Sequence, residues 1–417
     1  MLNPVTGQRE LAYVVSVGWV KPIEGADNIE LIGINGWSCI AKKGEFNEGD
    51  LAVYFEIDSK LPETEWSAFL APKHYKVKTM KLGKFGVISQ GLALPAEAFG
   101  WEFRDSGQFS GDVPLLWTNG ENKAYFLEGN FLTDYLGVKY SVEEDNKRKA
   151  NVNPDAKVNA ALARHPQIAK KYGKFIKTHK FVRWIFLALF GRKKDVTDWP
   201  VEVKKTDEER IENRPWTLQD TTIKWVATEK IDGASTTFHL RRGKGLKKAE
   251  YFVCSRNVVF NVPGKEDRNY YKDTIGNIWV EMDAKYNVRA ALEKLLEIHP
   301  SAKWVTIQAE TFGAGVQKRD YGMKDREIRA FNLIFSDTGR VNTITMKKFL
   351  DEVGIPSVPI IAEEMELPQT IDELRTFVHS QKSEIDGGMR EGIVFRSQDG
   401  SDSFKCVDPE FLVKYHQ

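Results

Sequence analysis

Cysteine is scarce in this chain. Only Cys39, Cys254 and Cys406 occur in 417 residues. They are far apart and odd in number, which argues against both a disulfide framework and a zinc cluster. A reducing, cytosol-like compartment is the expectation. An excess of one charge is lacking too: 60 Lys and Arg against 59 Asp and Glu leave a net charge of +1. The molecule is no polycation, so any nucleic-acid footprint must be a local patch. Long apolar runs are also missing. The longest, FVRWIFLALF at 181–190, is about half a membrane span and carries Arg183. The first residues, MLNPVTGQREL, have no apolar core of a secretory signal, so neither secretion nor membrane insertion is expected. There is no GxxxxGK[ST] phosphate loop, no HExxH, no CxxC pair and no GxSxG elbow. P-loop ATPases, protein-held zinc and serine hydrolases of that type are set aside.

What is present is a chain long enough for two domains of ordinary size, or three small ones. With 41% hydrophobic and 29% charged residues it has the composition of a folded globular protein. From about residue 9 to 100 short runs such as ELAYVVSVGWV, NIELIGINGWSCIA, LAVYFEI and GVISQGLALP are broken by turn residues such as GEFNEGD. Short strands at this spacing predict a small closed or partly open β-barrel, with a β-sandwich as the alternative. Residues 101–145 predict no clear element. The stretch 147–194 holds fourteen Lys and Arg against Asp155 alone. Tyr172, Phe175, Phe181, Trp184 and Phe186 lie between them, and much of 157–190 has helical spacing. Such a run is either a solvated helix face or a surface that tracks phosphates and stacks bases. KKTDEERIENRPW (204–216) reads as a polar, partly helical connector, with a domain boundary near 215. Beyond it strands and helices alternate as in an α+β domain.

Within that domain, ATEKIDGAS (227–235) places Lys230 in an apolar strand. Alternation puts Lys230 and Asp232 on one face, and Gly233 lets backbone approach a ligand. A lysine amine is a poor nucleophile at its ordinary pKa of about 10.4 and needs burial or nearby positive charge to become one. On its own, KxDG fits a structural lysine as well as a chemical one. Downstream follow, in order, CSRN (254–257), QAETFG (308–313), RAFNLI (329–334), EGIVFR (391–396) and FKCVDPEFLVK (404–414). Asp386-Gly387 in SEIDGGMREG mimics the motif without its lysine and reads as a turn.

This ordered set resembles the covalent nucleotidyltransferase superfamily of ATP-dependent ligases and capping enzymes. EKIDGAS looks most like an RNA ligase, because Ser235 stands where DNA ligases and capping enzymes usually carry arginine. VKPIEGADNIELIGINGWSCIAKKGEFNEGDLAVYFEIDSKLP (20–62), ISQGLALP (88–95) and KKTDEERIEN are similar to family-five RNA ligases. The resemblance implies an α+β protein with an OB-type β-barrel and extension over 1–145 and a basic, partly helical linker over 146–215. A nucleotidyltransferase domain, ATP-grasp-like and built of antiparallel sheets, would follow over 216–417. It also implies residue roles. Lys230 would attack the α-phosphorus of ATP and carry AMP. Glu229 would offer backbone contacts to adenine, and Gly233 would allow close approach. Asp232 would contact ribose or a metal-bound water, and Arg256 the ribose or the RNA terminus. Glu310 would bind the ribose hydroxyls and Phe331 would stack on adenine. Asp232, Glu310 and Glu391 would hold Mg2+ or Mn2+, and Lys405 would neutralise the α-phosphate. Relatives often carry a second basic residue as KxK. Here Ser403 stands before Phe404-Lys405, and Lys414 is the second candidate.

The implied activity is sealing of a 3′-hydroxyl to a 5′-phosphate in RNA through lysyl-AMP and RNA-adenylate. A DNA ligase or GTP-using capping enzyme is the rival, though both usually carry the OB domain after the catalytic one. A non-catalytic nucleic-acid-binding relative would not need Lys230, Asp232, Glu310, Glu391 and Lys405 together. Nicked duplexes or broken RNA ends are the expected partners, and the protein works either alone or beside an end-healing enzyme. A monomer in the cytoplasm, the nucleoplasm or the cytosol of an infected cell is expected.

Overall fold

The computed structural model describes residues 1, 3, 9–100, 102–103, 125–126, 128–141, 158, 162, 166–190, 199–200, 202–203, 208–243, 245, 248–256, 258–260 and 277–416. The broken runs of 9–100 fold as β1 (Ala12–Ser16), β2 (Trp19–Pro22), β3 (Ile29–Ile34), β4 (Trp37–Lys42), β5 (Leu51–Phe55) and β6 (Leu92–Leu94). β1, β5 and β6 form one antiparallel sheet, and β2, β3 and β4 a meander turned at Asn35, whose φ is +51°. β1 and β5 are buried on both faces. Tyr13, Val15, Ala52 and Tyr54 enter one core with Ile32 and Trp37, while Ala12, Val14, Val53 and Phe55 enter another with Leu132. Burial on both faces explains why AYVV and LAVYF are continuous apolar runs. Two 3-10 turns, Glu65–Lys73 and Ala96–Phe99, interrupt a stretch that shows no helical period in the sequence.

Among its described residues the basic stretch holds α1 (Pro166–Thr178) and α2 (Lys180–Phe190), within the span of expected helical spacing. The carboxy-terminal region builds two five-stranded sheets. In the first, Glu209–Arg210, β14 (Ser403–Val407), β13 (Gly392–Ser397), β7 (Trp225–Lys230) and β12 (Ile360–Met365) lie side by side in that order. In the second the order is β9 (Glu250–Ser255), β8 (Ala234–Arg241), β10 (Trp304–Gly313), β11 (Arg326–Phe335) and Gly339–Arg340. The chain passes from the first sheet to the second through Ile231-Asp232-Gly233, directly after Lys230.

Helices α3 (Ile278–Tyr286), α4 (Val288–Ile298) and α5 (Thr343–Glu352) cover the second sheet. Val288, Ala291, Leu292, Leu295 and Leu296 form one apolar stripe of α4 and meet Phe238, Val305 and Ile307 in that core, as i, i+3, i+4, i+7 spacing requires. α6 (Ile371–Ser380) sets Leu374 and Val378 against Trp225, Ile393, Phe395 and Phe404 of the first sheet. Its start is fixed by a capping box between Thr370 and Glu373. β12 and α6 are not foreseen from the sequence.

Within the expected polar connector, residues 210–213 form a buried joint. Glu209–Arg210 already pairs with β14 ahead of Pro215, and Ile211, Glu212 and Asn213 are buried. Asn213 accepts a hydrogen bond from Trp37 Nε1 at 2.7 Å and donates to Glu56 at 2.8 Å. Arg375 of α6 donates to Glu212 at 3.0 Å and to the Gly36 carbonyl at 3.1 Å. Val407 of β14, and Leu412 of α7 (Pro409–Tyr415), pack into the barrel core beside Trp37 and Tyr54. Buried polar groups need partners, and those of Asn213 and Arg375 include Trp37, Glu56, Gly36 and Gln90 of the barrel. Such pairing is invisible in a run of charged letters.

Candidate active site

Cross-strand pairing fixes which side chains share a face. Lys230 stands opposite Gly392 and then Val407, while Thr228 stands opposite Val394 and then Lys405. Directly paired residues project to the same side, so Lys230 and Lys405 lie on one face of the first sheet, two strands apart. Glu229 points the other way. Its carboxylate is buried and accepts from the Ser383 hydroxyl at 2.5 Å and the Glu384 amide at 2.8 Å, with Arg390 at 3.7 Å. Its amide is donated to the Pro359 carbonyl at 2.9 Å. The Glu229 side chain therefore anchors the loop around Asp386-Gly387, which is a turn with Gly387 at φ +70°.

The Lys230 ammonium donates to both oxygens of Glu391 at 2.8 Å. Burial alone would lower its pKa, but the charges of Glu391, Glu310 and Asp232 outweigh burial and raise it. Burial pushes Glu310 up to about 8, and Glu391 and Asp232 add to the shift while Lys230 and Arg256 oppose it. Glu391 is likewise raised, chiefly by burial. Four of the sequence candidates thus form one electrostatic unit: Lys230, Asp232, Glu310 and Glu391. Arg256, exposed at the end of β9, acts on the same unit through its charge.

Two glycines make this closeness possible. A Cβ on Gly233 would meet the Thr311 carbonyl oxygen at 2.3 Å, and one on Gly392 the Cys406 carbonyl oxygen at 2.4 Å. Neither position admits a side chain without moving backbone. Asp232 is held from two sides. Its amide donates to the Tyr321 hydroxyl at 2.7 Å, and its carboxylate lies 3.2 Å from His416 Nε2. That contact with Asp232 raises the His416 pKa. Arg319 lies over the Tyr321 ring at 4.2 Å and pairs with Asp386 at 2.7 Å. Tyr321, Arg319 and His416 carry no motif, and only the fold brings them here.

Phe331 owes its place to an irregularity. The β10–β11 ladder runs Gln308 to Asn332 and then Ala309 to Ala330. Phe331 is the extra residue, and such a bulge re-aims a side chain. Its half-buried ring packs with Ile231, Phe312, Tyr321 and Val358, next to the Lys230-to-Gly233 crossing. Glu310 is paired across the second sheet with Ser235 on one side and Arg329 on the other. Lys414 is exposed on α7, with its ammonium 5.0 Å from the Tyr415 ring. The Ser403 hydroxyl bonds Glu208, beside Arg340 and Arg396.

The site gathers three carboxylates against one ammonium, and burial disfavours that excess negative charge. A divalent cation fits such a donor set in charge and in its oxygen chemistry. Among the described residues no three His, Cys, Asp or Glu side chains form a ready-made cage. A cation here would share its shell with water and phosphate oxygens, as Mg2+ commonly does.

Comparison with known proteins agrees with this architecture. Residues 11–96 match the model of an OB-fold domain and residues 223–416 that of the RNA ligase family. No curated protein matches the chain. Among solved structures, a lysine-to-methionine mutant of the Naegleria gruberi RNA ligase with AMP and Mn is 23% identical, with a TM-score of 0.67 over 98% of this chain and 99% of that one. The same ligase with pyrophosphate is 22% identical, with a TM-score of 0.66 over 98% and 99% of the two chains. A glutamate-to-alanine mutant with ATP and Mn is 23% identical, with a TM-score of 0.68 over 98% and 100%. At this identity the likeness carries the fold across both halves. The chain therefore resembles, in order, an OB-fold domain over 11–96 and a domain of the RNA ligase family over 223–416.

Proposed function

We propose that this protein is an ATP-dependent RNA ligase that seals 3′-hydroxyl to 5′-phosphate ends through AMP carried on Lys230. The observation that carries the reading is the Lys230 ammonium held by Glu391, with Glu310 and Asp232 around it, at the turn between the two sheets. In the free enzyme these carboxylates keep the amine protonated. Attack needs the neutral amine, so loss of a proton must precede bond formation. The Lys230 nitrogen then bonds to the α-phosphorus, the bond to the bridging oxygen breaks, and pyrophosphate leaves with that electron pair. The RNA 5′-phosphate next displaces Lys230 from AMP, and the 3′-hydroxyl displaces AMP from the RNA-adenylate.

Lys405, on the Lys230 face, would meet the charge that develops on the α-phosphate. Phe331 would stack on adenine, Glu310 and Arg256 would reach ribose, and the Glu229 backbone would contact the base beside Gly233. Lys414 or another basic group would complete the phosphate clamp where Ser403 stands. A divalent cation, Mg2+ or Mn2+, would be held by Asp232, Glu310 and Glu391 and would supply charge neutralisation.

The same reading takes 1–145 as the OB domain with its extension, 146–215 as linker and 216–417 as the nucleotidyltransferase domain. It takes the enzyme as a monomer that follows an end-healing activity. A reducing, cytoplasmic compartment is supported by three buried free thiols, those of Cys39 and Cys254 pushed up to about 12 by burial. Among the described residues no helix is long and apolar enough to cross a membrane. The test is incubation with α-labelled ATP and Mg2+ or Mn2+, followed by denaturation. Label retained from ATP, absent with labelled GTP, supports the proposal; an unlabelled protein overturns it.

A further inference from the structure

The helical pair α1–α2 has a surface of one kind. Residues 166–190 contain six Lys and Arg and no Asp or Glu. Part of the pair's apolar surface is already used. Ile176 and Phe186 are buried with Val158 and Leu162, and Ile168, Ala169, Val182 and Leu187 pack around them. On the outside remain Lys170, Lys171, Lys174, Lys177 and Lys180, with Tyr172 and Phe175 each 49% exposed and Trp184 67% exposed. Lys170, Lys174 and Lys177 follow i, i+4, i+7 spacing and so form one stripe of α1. Like charges at that spacing destabilise a helix, and no carboxylate within the pair relieves them. The aromatic faces are flanked by the same lysines. The Lys171 ammonium stands 5.3 Å from the Tyr172 ring, and the Phe175 ring lies 4.0 Å from His179.

We propose that this outer face of α1–α2 docks single-stranded RNA flanking the ends to be sealed, an inference that rests on RNA being the substrate. A polyanion removes the repulsion along the lysine stripe, and its release of counterions drives binding. Exposed rings among cations take unstacked bases, which a single strand offers and a duplex does not. A lipid surface fits less well, because interfacial helices insert a broad apolar face, and here Ile168, Ile176, Val182, Phe186 and Leu187 are turned into the pair's core while the exposed Tyr172, Phe175, Trp184 and Ile185 stand among lysines.

The test uses the full chain and a labelled single-stranded oligoribonucleotide titrated at several salt concentrations. Replacing Lys170, Lys174 and Lys177 together by Gln should lower the slope of log K against log salt by about two, at about 0.7 per phosphate contact. The same three changed to Arg should keep the wild-type slope. Tyr172→Ala with Phe175→Ala should weaken binding roughly five- to a hundredfold for each stacked base lost. All these variants should still take label from ATP on Lys230, which reads the catalytic proposal separately. Unchanged affinity and slope in the Gln and Ala variants would overturn the inference. So would an Arg variant as weak as the Gln variant, or substitutions that abolish binding to phosphatidylserine vesicles and leave RNA binding intact.

Discussion

Glu310 shows how the site stores its need for a positive charge. Its pKa is raised to about 8, first by burial and then by Glu391 and Asp232. A carboxyl whose folded pKa is raised contributes stability that is complete below the unfolded value and is lost as pH rises through the folded one. The cation-free protein should therefore lose stability between the ordinary glutamate value of 4.5 and about 8, and Glu310→Gln should flatten that fall. Thermal unfolding in chelator across this range measures it. A variant that falls as steeply as wild type would refute the assignment to Glu310. Adding Mn2+ should restore the wild-type protein more than the variant.

The same residue marks what the sequence can and cannot reveal. Lys230, Asp232 and Gly233 are legible because their spacing is local, and Glu310 and Glu391 because they recur in order on apolar strands. His416 and Tyr321 are not, since their meeting with Asp232 depends on a helix end and a left-handed turn at φ +56°. The sequence places Phe331 on its strand, but the bulge that frees it from the ladder has no period to read.

Among the elements, α4 depends most simply on its stripe. Leu295 is fully buried between the helix and the second sheet. Leu295→Ala should cost about 2–5 kcal/mol by lost transfer energy and residual cavity, read as a lower midpoint in urea at an unchanged slope. A loss well under 1 kcal/mol would mean that α4 does not hold that sheet as described. β12 and α6 were beyond sequence reading for a related reason. IIAEEM and IDELRTFVHS mix apolar and charged residues; beyond the capping box of α6, the packing of Ile361, Ala362 and Met365 and of Leu374 and Val378 in the core of the first sheet selects their structure.

At the scale of the whole molecule the two domains share buried charge. Glu212 is fully buried and paired with Arg375, while Asn213 bonds Trp37 and Glu56 of the barrel. Removing one partner of a buried pair leaves an uncompensated charge, at a cost of about 3–5 kcal/mol. Arg375→Ala should therefore lower the stability of barrel and carboxy-terminal domain together, seen as one transition that shifts as a unit. Two separate transitions, with only one displaced, would contradict a shared joint. The charged letters of 204–216 suggest a solvated linker, and the burial of Glu212 and Asn213 within it follows from partners more than a hundred residues away.

The central claim concerns a single nitrogen. After incubation with ATP and a divalent cation, the protein should be digested and its AMP adduct located by mass spectrometry. The account predicts one adduct, on the peptide that contains Lys230, lost in Lys230→Ala and chemically labile to acid as a phosphoramide is. An adduct on another residue, or an adduct that survives in Lys230→Ala, would contradict it.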